Sequence, residues 1–505
     1  MRQNGEKFMR KSGILMHISS LPSKYGIGKM GKSAYDFVDF LVSAGVKCWQ
    51  ILPLSPTSYG DSPYQSFSVY AGNPYFIDFE TLKREGLIKK SDYEDIKWQD
   101  NDHQVNYSII YNNCFKVLRQ AYKTYKRDIS KRYKTFVEKN SSWLDDYALF
   151  MALKFKNNGK PWYEWDKKLA MRDSNALKKA SEELEKETEF FKFIQYKFFR
   201  QWSNLKKYAN DKGVEIIGDM PIYVSYDSVE AWVSPELFQF DKHKKPKDVA
   251  GCPPDDFAVT GQLWGNPLYK WDYHKKTDYK WWISRLSHCF NLYDVLRIDH
   301  FRGFDEYYSI PYGADNAING HWEKGPGMDI FKAIKKVLGE KDFIAEDLGY
   351  MTDSVRQLVK ESGFPGMKVL EFAFDSRDTG CRNDYLPHNY SENCIAYTGT
   401  HDNQTITSWF DTISEEEQNL AREYLCDYNT PTSELYTSFI CLIMRSNAKL
   451  CIIPMQDYLG YDDSCRMNEP STLGKNWKWR LKNEDLSDSL KQTIYRIAEL
   501  YGRLK

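Results

Sequence analysis

Eight short apolar runs, separated for the most part by helix-favouring or loop-forming sequence, constrain this chain more than any other feature. They cover residues 13–20, 46–54, 214–218, 294–299, 343–346, 367–374, 394–398 and 450–454. Amphipathic stretches at 33–44, 329–338, 354–362 and 415–424 carry the period of helices between them. A strand, a helix and a second strand in succession imply a parallel pair. Eight strands in such alternation predict the α/β class and a (β/α)8 TIM barrel, whose site is built from loops at the carboxyl ends of the strands. A doubly wound open sheet is the competing architecture, because the pattern does not show closure.

The expectation is one catalytic barrel over residues 1–505, interrupted twice. Residues 80–212 are charged and rich in Lys, Glu, Tyr and Phe, which reads as a helical insertion subdomain between barrel strands 2 and 3, its charge runs being solvated helix faces. Residues 225–291 hold Gly251-Cys252-Pro253-Pro254-Asp255 and Gln262-Leu263-Trp264-Gly265-Asn266-Pro267, and read as a loop and helix insertion between strands 3 and 4. A third stretch, Tyr59-Gly60-Asp61-Ser62-Pro63-Tyr64-Gln65, is a structured loop of the kind that carries binding groups.

Charge narrows the partners. With 70 Lys+Arg against 70 Asp+Glu the chain offers no electrostatic footprint for nucleic acid or an anionic membrane, and a neutral small molecule or polymer fits better. Aromatic residues make up 16% of the chain, 36 of them tyrosine. Flat rings with polar tips suit sugars, although an aromatic-rich core accounts for the figure equally well. The ten cysteines form no CxxC pair, so neither a zinc site nor a disulfide framework is signalled. Residues 1–13 lack an apolar core of the secretory kind and the apolar runs are too short to span a bilayer, which makes the cytoplasm the expected compartment.

The chemistry is carried by acids at strand ends. In Val295-Leu296-Arg297-Ile298-Asp299-His300-Phe301-Arg302-Gly303 a strand would put Arg297 and Asp299 on one face. The cation is expected to hold Asp299 ionised, as a nucleophile requires. A buried structural ion pair is the simpler reading of that stretch alone. Asp219, Glu346 and Asp402, however, also close or follow short apolar runs ahead of Gly, Pro or Asn. Retaining glycoside chemistry needs one ionised carboxyl and one protonated carboxyl flanking the bond. Asp299 suits the first role, and Glu346 suits the second if an apolar setting raises its pKa. Asp402, beside His401, could grip hydroxyls and stabilise an oxocarbenium-like transition state. The bland alternatives are an acidic pair, Glu346 and Asp347, opening a helix, and a capped turn at His401-Asp402.

A rival function class comes from Gly26-Ile27-Gly28-Lys29-Met30-Gly31-Lys32-Ser33, which matches the phosphate-loop pattern. A phosphate loop leaves its strand directly, whereas residues 21–25 intervene here. Nucleotide binding through Lys32 and Ser33 would also need a magnesium-holding carboxylate, for which Asp219 or Asp299 could serve.

Taken together, His17-Ile18-Ser19-Ser20-Leu21-Pro22-Ser23, Ser62-Pro63-Tyr64, Gly218-Asp219-Met220-Pro221, the runs 261–267 and 297–303, Ala345-Glu346-Asp347-Leu348-Gly349, Thr398-Gly399-Thr400-His401-Asp402-Asn403, Gln456-Asp457 and Arg466-Met467-Asn468 resemble the amylomaltases over essentially the full length. These are 4-α-glucanotransferases, or disproportionating enzymes, barrel relatives of the α-amylases. The resemblance implies Asp299 as nucleophile, Glu346 as acid/base and Asp402 as transition-state stabiliser, with Arg297 and His401 beside them. It places Tyr59, Ser62, Asp219, Trp264, Asn266, Asp375 and Asn468 as glucan contacts. It implies no metal and no cofactor, and as partners maltooligosaccharides or other α-1,4-glucans, with glucose as an acceptor. Cys252, Tyr308 and Ser471 depart from the pattern expected of the family, and none of them is one of the acids. A glucan hydrolase and a catalytically silent glucan-binding scaffold remain as alternatives, because the acids alone do not set transfer over hydrolysis, donor length or oligomeric state.

Overall fold

The computed structural model describes residues 10–504 apart from 59, 128, 255–257, 350 and 377–382. Within it the eight expected strands occur in one sheet. They are β1 (Lys11–Leu15), β2 (Cys48–Gln50), β3 (Glu215–Pro221), β6 (Val295–Asp299), β9 (Phe343–Ala345), β10 (Gly366–Val369), β11 (Cys394–Tyr397) and β12 (Leu450–Pro454). Their order is β10-β11-β12-β1-β2-β3-β6-β9, and every pairing in it is parallel. The two remaining edges meet where the Ala345 amide donates to the Pro365 carbonyl at 3.0 Å and the Met367 amide donates to Asp347 Oδ1 at 2.7 Å. The ring is a (β/α)8 barrel, with helices Lys32–Ser43, Met328–Leu338, Asp353–Ser362 and Glu415–Leu425 at the expected places.

Asp347 is therefore part of the barrel seam. A Cβ on Gly366 would stand 2.3 Å from Asp347 Oδ2, so glycine is what lets the carboxylate reach the amide of the next strand. Several strands are shorter than their apolar runs. β1 gives way to the turn Ile18–Ser20, and β10 to the turn Leu370–Phe372. Ile18, Leu21, Ile51, Leu52 and Leu370 lie beyond the ladders yet are at most 1% exposed. The apolar pattern records burial, which continues under the mouth loops after the strand hydrogen bonds stop.

Between β2 and β3 the chain forms three long helices, Tyr107–Tyr125, Lys131–Lys156 and Glu185–Asp211. The first two start at side-chain caps, where Asn106 accepts from the Ile109 amide and Ser130 from the Tyr133 amide. Their packing is aromatic: Phe155 meets Phe191 at 5.2 Å and Trp143 meets Phe199 at 5.8 Å. Much of the aromatic excess is thus core of this segment and says nothing about sugar.

The stretch between β3 and β6 differs from the loop and helix expected. It includes β4 (Asp248–Cys252) and β5 (Gln262–Pro267), which join β7 (Glu306–Pro311) and β8 (His321–Lys324) in an antiparallel sheet ordered β5-β4-β7-β8. One partner of β4 is the following β5, but the other, β7, lies beyond β6 in the chain, and a pairing so distant gives little local signal. Its effect is to stand Trp264 over the mouth side of β6.

Inside the barrel, β3 and β6 pair with Asp219 opposite Arg297 and Pro221 opposite Asp299. Gly218 sits under the Tyr293 ring, where an added Cβ would come to 2.1 Å. Gly218→Ala is expected to cost about 1–3 kcal/mol by overpacking, read as a lower urea midpoint; an unchanged midpoint would contradict this packing.

Candidate active site

The site starts from the Arg297 guanidinium. Its side chain is 4% exposed and contacts two carboxylates from one nitrogen, Nη1: Asp219 at 2.7 and 2.8 Å and Asp299 at 3.1 Å. Asp219 is fully buried, whereas 27% of the Asp299 side chain remains exposed toward the mouth. Nε leans on the Met367 sulfur at 3.4 Å. Pairing with carboxylates offsets the cost of burying this cation, and Asp219 is the closer of the two.

One residue past Asp299 the backbone turns into the left-handed region, with His300 at φ 55° and ψ 49°. The turn aims the His300 amide at Glu346 Oε2, 2.6 Å away, while Glu346 Oε1 accepts from the Leu348 amide at 3.0 Å. The Glu346 amide in turn donates to the Ile298 carbonyl at 3.1 Å. Asp299 and Glu346 thereby stand at the carboxyl ends of neighbouring strands. A left-handed non-glycine residue costs on the order of 1 kcal/mol, and such strain collects at functional sites.

Burial pushes the carboxyls of both Asp299 and Glu346 above their ordinary ranges. For Asp299 the Arg297 cation opposes this, but the neighbouring Asp219, Glu346 and Asp402 reinforce it. For Glu346, Arg297 and the two amide bonds oppose it, and Asp347 reinforces it. Arg297 favours the ionised form of Asp299, as the sequence suggests, but it does not act alone. The guanidinium is shared with Asp219, and desolvation outweighs it. The charge of Glu346 is one of those that raise Asp299.

Asp402 arrives from the turn after β11. Asn468 Nδ2 donates to Asp402 Oδ1 at 2.6 Å, Arg466 Nη2 donates to the Asp402 carbonyl at 2.7 Å, and His401 Nε2 lies 3.4 Å from Asp402 Oδ2. Burial lowers the His401 pKa, so its ring is neutral near pH 7. Tyr64 joins the two halves of the site. Its ring stacks on His401 at 5.1 Å and its hydroxyl donates to Asp219 Oδ2 at 2.9 Å.

The remaining expected contacts are placed unevenly. Ser62 lies in the turn that carries Tyr64, whose amide donates to Ser62 Oγ at 3.3 Å. Trp264 meets the His300 ring edge-on at 4.8 Å. Asn266 is 5% exposed, and both ends of its amide are engaged within the protein: Nδ2 donates to the Val224 carbonyl at 2.8 Å and Oδ1 accepts from Gln65 at 3.2 Å. It supports the loops around the cleft. Asp375 is half-buried just ahead of 377–382, and Tyr59 lies outside the described residues. Tyr64 and the left-handed His300 were missed as site residues. Tyr64 stood in plain view inside the Ser-Pro-Tyr run, but nothing local ties it to an acid 155 residues away.

The phosphate-loop reading fails on geometry. The Gly28 amide donates to the Ser19 carbonyl at 2.9 Å and the Met30 amide to the Phe76 carbonyl at 2.8 Å. Lys32 pairs with Asp36 on the surface. A Cβ on Gly28 would come to 1.8 Å from the Ile18 carbonyl oxygen, so this glycine serves close packing against protein, and amides needed for a phosphate are already spent. Among the described residues no cluster of His, Cys, Asp or Glu is arranged to hold a metal ion.

Carboxylates gathered at the mouth of a parallel barrel define a barrel enzyme, and retaining glycoside chemistry is among the reactions that such acids suit. Comparison with known proteins narrows this. Residues 16–487 match the family described as 4-alpha-glucanotransferase. The 4-alpha-glucanotransferase of Clostridium butyricum is 49% identical over 97% of this chain and all of its own length. That of Thermus thermophilus is 43% identical, covering 98% of this chain and 99% of its own. A solved amylomaltase from Streptococcus agalactiae, in complex with acarbose, superposes with a TM-score of 0.95 at 44% identity, covering 98% of this chain and 99% of that one. The chain belongs to the 4-alpha-glucanotransferase family, the amylomaltases.

Two outcomes follow from this geometry. Asp219→Ala, which strands the buried Arg297 charge, is expected to lower unfolding stability by about 3–5 kcal/mol in urea titration; a change within error would mean the pair is not buried as described. ATP with magnesium is expected to leave the thermal midpoint unmoved, and a rise that vanishes in Lys32→Ala would reinstate the nucleotide site.

Proposed function

We propose that this chain transfers α-1,4-glucan segments from a donor maltooligosaccharide to the 4-hydroxyl of an acceptor glucan or glucose, by retaining double displacement. The observation that carries the reading is the amide of His300, directly after Asp299, bonding Glu346 at 2.6 Å, because it sets two acids side by side at one mouth. The acarbose held by the Streptococcus agalactiae amylomaltase supports an oligosaccharide as the occupant of the corresponding cleft. A cytoplasmic maltodextrin pool is the substrate source that fits this activity.

In the first step Asp299 attacks the anomeric carbon as Glu346 protonates the departing glycosidic oxygen, and a β-linked glycosyl-aspartate forms. In the second, the same Glu346, now a carboxylate, takes the proton from the acceptor 4-hydroxyl as that oxygen displaces Asp299. Two inversions return the α configuration. The neighbouring pair supports this division, since two neighbouring buried carboxyls favour a state that holds one proton between them. Arg297 stabilises the ionised member. Asp402, fixed by Asn468 and beside a neutral His401, is suited to grip hydroxyls as positive charge develops on the ring. Transfer prevails over hydrolysis when an acceptor fills the cleft ahead of water, a role for the loop carrying Ser62 and for the segment leading to Trp264.

Maltotriose separates the readings. Glucose together with longer oligosaccharides is expected, and glucose without them would mark a hydrolase. Glu346→Gln is expected to lower transfer by about 10²–10⁴-fold, and Asp299→Asn to abolish it; appreciable turnover in the latter would exclude Asp299 as nucleophile.

The pH profile follows from the displaced pair. The acid limb of kcat/KM reports protonation of the attacking carboxylate, and the alkaline limb reports loss of the donor proton. Both carboxyls are raised, so both limbs sit higher than isolated side chains would put them. Asp219→Asn removes a negative neighbour and leaves Arg297 to Asp299, which lowers the attacking group's pKa. The acid limb is expected to move to lower pH in that variant, and a shift upward would contradict the account.

A further inference from the structure

A corner of three tyrosines on the surface takes no part in the site above. Tyr163, in the turn Trp162–Glu164, stacks face to face on Tyr226 with ring centres 4.5 Å apart and planes 7° from parallel. Tyr312 meets the same Tyr226 edge-on at 6.3 Å and 77°. Tyr163 is 42% exposed and Tyr312 is 39% exposed, although most other aromatic rings of this segment are folded into the core. Stacking covers one face of Tyr163 and leaves its outward side to solvent.

The corner is held in shape from below. The Tyr226 hydroxyl donates to the Lys244 carbonyl at 2.9 Å, the Tyr226 carbonyl accepts from Trp162 Nε1 at 2.7 Å, and the Phe240 ring abuts Tyr226 at 5.5 Å. Lys245 Nζ stands 5.1 Å from the centre of the Tyr312 ring. Three segments far apart in sequence therefore converge to present fixed, half-open rings with polar tips. Such a surface complements the apolar face and hydroxyl rim of a pyranose.

Its connection to the site runs along the chain. Tyr226 follows β3, whose end carries Asp219, and Tyr312 follows β7, which pairs with β4 next to the strand of Trp264. The rings thus project from the segments that continue out of the catalytic mouth. We propose that Tyr163, Tyr226 and Tyr312 form an accessory platform for a distal stretch of a long α-1,4-glucan, so that preference for long chains is set partly outside the cleft. The proposal rests on the glucan reading above.

The test uses the intact protein and a double variant, Tyr163→Ala with Tyr312→Ala, at two exposed positions that leave Tyr226 in place. In native gels containing soluble starch the wild type is expected to be retarded and the variant to run ahead of it. The KM for amylose is expected to rise about 3–10-fold, the effect of losing one or two ring contacts, while maltotriose kinetics stay unchanged. Tyr163→Trp, which keeps a flat ring, is expected to keep the retardation. Equal retardation and equal amylose KM in wild type and double variant would overturn the platform alone. A wild type that fails to disproportionate maltotriose would overturn the glucan reading, and the platform with it.

Discussion

A guanidinium with almost no access to water sits between two carboxylates at the mouth of a closed barrel, and the rest of the site is arranged around it. Arg297 cannot shed its proton, so its burial is costly unless acceptors surround it, and here they are carboxylates. The β3–β6 register supplies one by setting Asp219 directly opposite it, and the pleat of β6 supplies the other by turning Asp299 to the same face. Tyr64 then caps Asp219 and stacks on His401, which links the first strands of the barrel to the turn bearing Asp402. The reacting groups are thus tied to one charge that the fold has no cheap way to move.

The same burial that gives Arg297 its hold raises the carboxyls it touches. A cation next to an acid favours the ionised form, while at this mouth Asp219 takes the nearer contact and burial of Asp299 opposes the longer one. The charge of Glu346 adds to that effect, so protonation of Glu346 favours ionisation of Asp299. A displacement reaction that must pass a proton to and from Glu346 while Asp299 alternates between free carboxylate and ester is served by such a pair.

The barrel was legible in the sequence because its eight strands are largely buried and lie in mostly apolar runs bounded by turn-forming residues. The acids were legible for a related reason, since a carboxylate closing an apolar run is expensive unless it is used. What could not be read was anything that depends on a distant partner. The antiparallel sheet of β4, β5, β7 and β8 joins segments across β6, and its strands are mixed polar and apolar rather than continuous apolar runs. Asp347 looked like the twin of Glu346, but its side chain stitches β9 to β10, whereas Glu346 turns to the mouth. Asn266 lay in a run shared with the amylomaltases, and the bonds its amide makes to Gln65 and Val224 could not be read from that run. Aromatic content suggested sugar binding, and only packing separates the rings of the helical core from the few left open at the surface.

The central claim is that Asp299 bonds covalently to the sugar while Glu346 serves the proton. Reacting a Glu346→Gln variant with an activated maltosyl fluoride, which needs no acid to leave, and sequencing the peptic fragments by mass spectrometry addresses it directly. A glycosyl adduct on Asp299 itself is the predicted result. An adduct on another carboxylate, or product formed with inverted anomeric configuration and no adduct at all, would contradict it.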